Sequence, residues 1–124
     1  MKATTTNSID LNGYKNRRDI IEKVIRQTSK DLGLEIELNL SNPATELYNN
    51  LVSQLRPVIG KLIYQGGGKV EQMLYKIDVS EHKVKEALDT AQDTDPALIF
   101  THLILERELQ KVVFKILYSK GLAQ

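Results

Sequence analysis

Two histidines, His82 and His102, and no cysteine make up the chain's whole stock of imidazole bases and soft metal ligands. Each histidine has a glutamate four residues on, Glu86 and Glu106, which puts both side chains on one face of a helix. Two ligands are too few. A di-iron bundle wants Glu-x-x-His on two helices, and three residues before the histidines stand Val79 and Ile99. The absence of cysteine removes disulfides, thiol catalysis, iron–sulfur clusters and cysteine zinc sites. Serines and threonines are scattered, with no nucleophile beside a base. Gly66-Gly67-Gly68-Lys69 offers backbone amides to an anion. The phosphate-binding loop, however, needs G-x-x-x-x-G-K-[ST] after a strand. Here Val70 follows the lysine and Ile63 takes the first glycine's place, so the glycines read as a helix–helix turn. No catalytic residue, metal or cofactor is expected.

Glu106-Arg107-Glu108 is a charged cluster in an otherwise oily stretch. Successive helical residues point about 100° apart, so one of the three is expected to lean towards a packed side. An ion pair of Glu106 with Arg56, or with another chain, is one reading. The other is a solvated face on which Glu108 supports Lys111 and Lys115.

The elements that must carry these residues follow from periodicity. The 124 residues suit one domain, with 41% hydrophobic and 27% charged residues and a formal net charge of +1. That balance excludes a strongly basic nucleic-acid coat and a polyacidic tail. No signal peptide or membrane span is visible, and a cytoplasmic location is the default. Residues 1–13 are polar and are expected to be disordered or weakly extended, with a turn at Asn12-Gly13.

Ile20, Ile21, Val24, Ile25, Thr28 and Leu32 predict a helix over 15–32, closed by Gly33. Leu34, Ile36, Leu38 and Leu40 then alternate with Glu35, Glu37 and Asn39, a strand pattern over 34–40. A lone strand leaves its backbone groups unpaired. It would pair with residues 4–11 or with a second copy, or else lie as an extended linker over the helices.

Ser41 or Asn42 should cap a helix running from Pro43 to about Gln65, kinked by Pro57. Val70, Met73, Leu74 and Ile77 mark a short helix. Asp78 with Glu81 reads as a capping box for a helix bearing Val84, Ala87, Leu88 and Ala91. Asp95-Pro96 opens a last helix to about residue 119 that is apolar around most of its circumference. Such a helix is either the centre of a bundle or also faces another chain.

Residues 70–88, helix–turn–helix, resemble the helix-turn-helix of bacterial DNA-binding proteins. Met73, Ile77, Val79, Val84 and Ala87 fall on that motif's apolar positions. Asp78 stands where its turn has glycine, and Leu74 where it has a small residue. The resemblance implies DNA binding through residues 70–91. Between Ser80 and Asp95, however, five acids face Lys83 and Lys85, a local charge of −3 that opposes phosphate contacts.

The expected fold is mainly α: a single-domain antiparallel bundle of four to five helices. Residues 1–41 form an N-terminal arm (polar tail, helix 15–32, extended segment 34–40) and 42–124 the bundle core. The expected function is a non-catalytic, protein-binding or self-associating module with no membrane association. Its candidate interaction residues are Leu34, Ile36, Leu38, Leu40, Glu106, Arg107 and Phe114. The alternatives are a helix-turn-helix nucleic-acid binder and a bundle that carries a ligand or catalyses without a recognisable motif.

Overall fold

The structure, a computed structural model, describes residues 10–121. Five α-helices make up the bundle: α1 (Arg18–Leu32), α2 (Ala44–Gln65), α3 (Lys69–Lys76), α4 (Glu81–Thr90) and α5 (Pro96–Ser119). The fold is mainly α, as the periodicity predicts. A 3-10 turn at Tyr14–Asn16 precedes α1. The first helix therefore begins later than residue 15, because Arg17 is extended (φ −109°, ψ 119°) and breaks the run.

Much of the apolar circumference of α5 is covered within this one chain, while Leu98, Leu103, Phe114, Ile116 and Leu117 stay half-buried. The helix lies against α1, α2 and α4 and buries ten of its residues, from Ala97 to Val113. Ile20, Ile21 and Val24 of α1 and Leu47, Leu51, Leu55 and Ile59 of α2 close over Ile104, Leu105 and Leu109 in a single core. Burying one such side chain contributes roughly 1.5–3 kcal/mol. The α2–α5 contacts run in opposite senses: Tyr48 stacks on His102, while Gly60, twelve residues on, comes close to Ala97.

Three helix boundaries reflect local chemistry. Gly33 takes φ 65° and closes α1, its amide donating to the Ser29 carbonyl at 2.9 Å. Asp95 caps α5 by accepting from the Ala97 amide at 3.2 Å, with Pro96 in the first turn. At α2 the cap position belongs to Pro43, not to Ser41 or Asn42. Those side chains are engaged elsewhere: Asn42 donates to Asn50 Oδ1 at 3.1 Å, and Ser41 Oγ donates to Asn39 Oδ1 at 2.5 Å. The helix continues through Pro57. The Ser53 carbonyl that loses its partner there belongs to an exposed residue, where water can replace the bond.

The alternating segment 34–40 takes no regular secondary structure and ends in a turn at Leu40, and no strand forms among the described residues. Part of any pairing with residues 4–11 lies outside them. Leu34, Ile36, Leu38 and Leu40 are half-buried against the core, and Glu35, Glu37 and Asn39 are exposed. Side chains bind the segment's backbone instead of a partner strand. Gln54 Nε2 donates to the Glu37 carbonyl at 2.7 Å, and Arg18 Nε donates to the Leu40 carbonyl at 2.7 Å. The alternation thus records one face on the core and one in solvent.

Candidate functional site

The α3–α4 hairpin packs on this core through Val70, Leu74, Ile77 and Val79. α3 packs chiefly on α2 and α4 chiefly on α5, and Arg107 of α5 also reaches the Ile77 carbonyl at the end of α3. The turn between them departs from the expected capping box. Asp78 is not an N-cap. It takes φ 65° just past the end of α3, the left-handed conformation that favours glycine. Ser80 caps α4, its Oγ accepting from the Lys83 amide at 3.1 Å. The Val79 amide donates back to the Leu74 carbonyl at 2.9 Å, and the Asp78 amide to the Tyr75 carbonyl at 3.1 Å, which reverses the chain tightly. Asp78 therefore adopts a glycine conformation where the helix-turn-helix pattern has glycine.

Between the two helices lies a groove of about 710 Å³. Leu74, 2% exposed, and Val79 form its floor, and the half-buried Val84 and Leu88 form the α4 wall. Tyr75, 84% exposed, stands on the α3 side as an uncovered aromatic ring. The rim carries Glu71, Glu81 and Asp89 against one cation, Lys85. α4 itself has no fully buried residue. Sequence periodicity reads Val84 and Leu88 as core. They are apolar residues on the hairpin's inner face, only partly covered by the bundle.

The candidate interaction residues fall in several places. Leu34, Ile36, Leu38 and Leu40 line the edge of the core. Glu106 is exposed and stands 3.7 Å from Lys15, whose ammonium also lies over the Tyr48 ring. Arg56 pairs with Asp95 at 2.9 Å, not with Glu106. Arg107 donates from Nε to the Ile77 carbonyl at 2.9 Å and from a terminal nitrogen to Gln110 Oε1 at 2.8 Å. The structure does bring Arg107 and Phe114 together, around a shallow depression with Gln27, Lys111, Lys115 and Tyr118.

The residue of the charged cluster that turns inward is Glu108, which is 0% exposed. It does not lie on a solvated face. Lys111 Nζ is 3.2 Å from its Oε2 and 2.9 Å from Asp31 Oδ2, and Gln27 donates to both Asp31 oxygens at 3.1 Å. Neither Glu108 oxygen has an aligned hydrogen-bond donor. Burial, reinforced by Asp31 alongside, pushes the Glu108 carboxyl up to about 7. Burial opposes ionisation of Asp31 too, but the Lys111 ammonium and the Gln27 amide outweigh it and hold that carboxyl below its usual range. The cluster joins α1 to α5 and lines no deep cavity. Nearby, Lys23, Arg26, Lys30 and Lys115 surround a cleft floored by Val112 and Ile116.

His102 is half-buried against Tyr48 and His82 is exposed. Among the described residues no three histidine, aspartate or glutamate side chains gather as a metal site would require. Among the described residues no helix is long and apolar enough to cross a membrane. No protein-family model, curated protein or solved structure matches the chain.

Proposed function

We propose that this chain is a non-catalytic protein-interaction module whose docking face is the α3–α4 groove, and that the groove receives the apolar side of a helix from a partner protein. The observation that carries this reading is the groove itself: the half-buried Val84 and Leu88 above the buried Leu74 and Val79, beside the exposed Tyr75 ring. Helix-in-groove docking uses such a surface, with apolar anchors at i, i+3, i+4 and i+7. A wall ten residues long, as α4 is, spans about 15 Å and matches two to three turns of a bound helix. Tyr75 fits the role of an interface aromatic, large in contact area and poor in rotamers.

The nucleic-acid alternative has less support. The turn has the backbone that the helix-turn-helix resemblance implies, but the face beside it carries Glu81, Glu86 and Asp89 against Lys83 and Lys85, and phosphate contacts need the opposite sign.

The test is an amide chemical-shift titration with an amphipathic model peptide of about 15 residues, leucine on one stripe and glutamine elsewhere. Shifts centred on Leu74, Tyr75, Val79, Val84 and Leu88 are expected, and Tyr75→Glu should weaken the binding. Tyr75 is the better residue to change because it is exposed, so the fold does not depend on it. No shifts, or shifts centred elsewhere, would overturn the reading.

A further inference from the structure

Resting on that reading, we infer that the helix the groove accepts is basic, and that it comes from a different protein and not from a second copy of this chain. The rim decides the sign. Glu71, Glu81 and Asp89 stand around the apolar floor, with Lys85 the one cation among the lining residues. A docked helix lays its apolar stripe on Val84, Leu88 and the Tyr75 ring, over the buried Leu74 and Val79. Its flanking positions then meet carboxylates on both walls, Glu71 from α3 and Glu81 and Asp89 from α4. Lysines or arginines at those flanks are attracted, and acids are repelled at each contact. Rim charges of this kind set partner choice and encounter rate more than total affinity.

A second copy fits poorly for two reasons. Groove against groove, the arrangement of a two-fold dimer, sets the acidic rim against itself. Head to tail, the basic region that would supply the cations is the cleft ringed by Lys23, Arg26, Lys30 and Lys115. Its apolar residues are recessed: Val112 is buried and Ile116 half-buried at the floor. Two concave surfaces cannot interdigitate. The main apolar stripes of α1, α2 and α5 are taken up by the shared core, and the large apolar residues that α2 leaves exposed, Val58, Ile63 and Tyr64, are not spaced i, i+3 or i+4 and form no stripe. The occupant must bring a free apolar stripe of its own, with basic flanks.

The experiment compares two peptides of about 15 residues on one leucine stripe, one with lysine and one with glutamate at the polar positions, by fluorescence anisotropy at low and high salt. The lysine peptide should bind about tenfold more tightly at low salt, the size expected from a few rim contacts. The ratio should shrink as salt screens the rim. The triple variant E71K/E81K/D89K should reverse the preference, while circular dichroism confirms that it stays helical. Equal binding of both peptides would overturn the charge inference and leave groove docking standing. Binding of neither would overturn both. A lysine peptide with a scrambled leucine stripe that binds equally well would show attraction to surface acids only, and would overturn the inference. Sedimentation of the free chain as a dimer that Tyr75→Glu dissociates would overturn the choice of a foreign partner.

Discussion

Arg107 of α5 donates from Nε to the carbonyl oxygen of Ile77 at 2.9 Å, across thirty residues of sequence, and so anchors the end of α3 to the central helix. That carbonyl belongs to the last turn of the helix, where backbone acceptors lack partners. An ionised donor to a carbonyl contributes roughly 1.5–3 kcal/mol when shielded. This one is only part-buried. Arg107→Ala should therefore cost about 1–2 kcal/mol in urea unfolding. Arg107→Lys should recover little, because an ammonium cannot serve Ile77 and Gln110 in the same fixed geometry. Unchanged stability in both variants would mean that the contact is not formed in solution.

Asp78→Gly should raise stability by about 0.5–1 kcal/mol. A side chain in the left-handed region costs roughly 1–2 kcal/mol, and the greater freedom of glycine in the unfolded chain offsets part of that. Asp78→Val should lower stability, since a branched β-carbon is strained at φ 65°. Thermal melts of the two variants should shift in opposite directions.

The Glu108 carboxyl gives the protein a pH dependence of definite sign. Its pKa in the fold, about 7, lies above its ordinary 4.5. Between those values the folded chain holds a proton that the unfolded chain releases, so stability falls as pH rises through that window. The total is on the order of 3 kcal/mol. Asp31 acts in the opposite sense. Its carboxyl lies below its ordinary 3.8, and the stability it gives is lost only as pH drops beneath that range. Glu108→Gln mimics the protonated form. Unfolding at pH 5 and at pH 8 should show the variant close to the parent at the lower pH and clearly more stable at the higher. An equal pH slope in both proteins would refute the assignment.

Gly60→Ala should stabilise α2. The added β-carbon would lie 3.6 Å from Ala97 Cβ, an ordinary contact, and alanine is favoured over glycine within a helix by about 0.8–1 kcal/mol. Gly60→Leu should destabilise, since the α2–α5 approach leaves room for one methyl group and little more. A denaturation midpoint that fell for the alanine variant would contradict the packing at this crossing.

What could be read in advance was short-range. Gly33 ends α1 and Asp95-Pro96 starts α5 because caps and turns are set by neighbours within a few residues. The apolar circumference of α5 left it as the centre of the bundle or a face for another chain, and its packing on α1, α2 and α4 makes it central. What differed has two sources: partners distant in sequence and, at Asp78, a local choice between two caps. Glu108 looks like a surface residue beside Lys111 until Asp31 arrives from eighty residues before that lysine. The alternation over 34–40 suits a strand or a linker alike, and side chains distant in sequence, Arg18 and Gln54, bind its carbonyls. Asp78 and Ser80 both precede helix-forming residues, and only the reversal at Asp78 gives the cap to Ser80. The groove could not be anticipated, because periodicity marks Val84 and Leu88 as apolar without saying how much of each is covered.

The hairpin wall formed by α4 has a thermodynamic consequence. It contributes no fully buried residue, so little apolar area is exposed when it opens, whereas opening α5 would expose the whole core. Its amides should therefore exchange with solvent sooner than those of α5. A ligand that grips this wall must restrain it, and part of the binding energy goes into ordering what was already loosely held. Such a complex would announce itself as slowed exchange confined to one short helix, with the rest of the bundle silent.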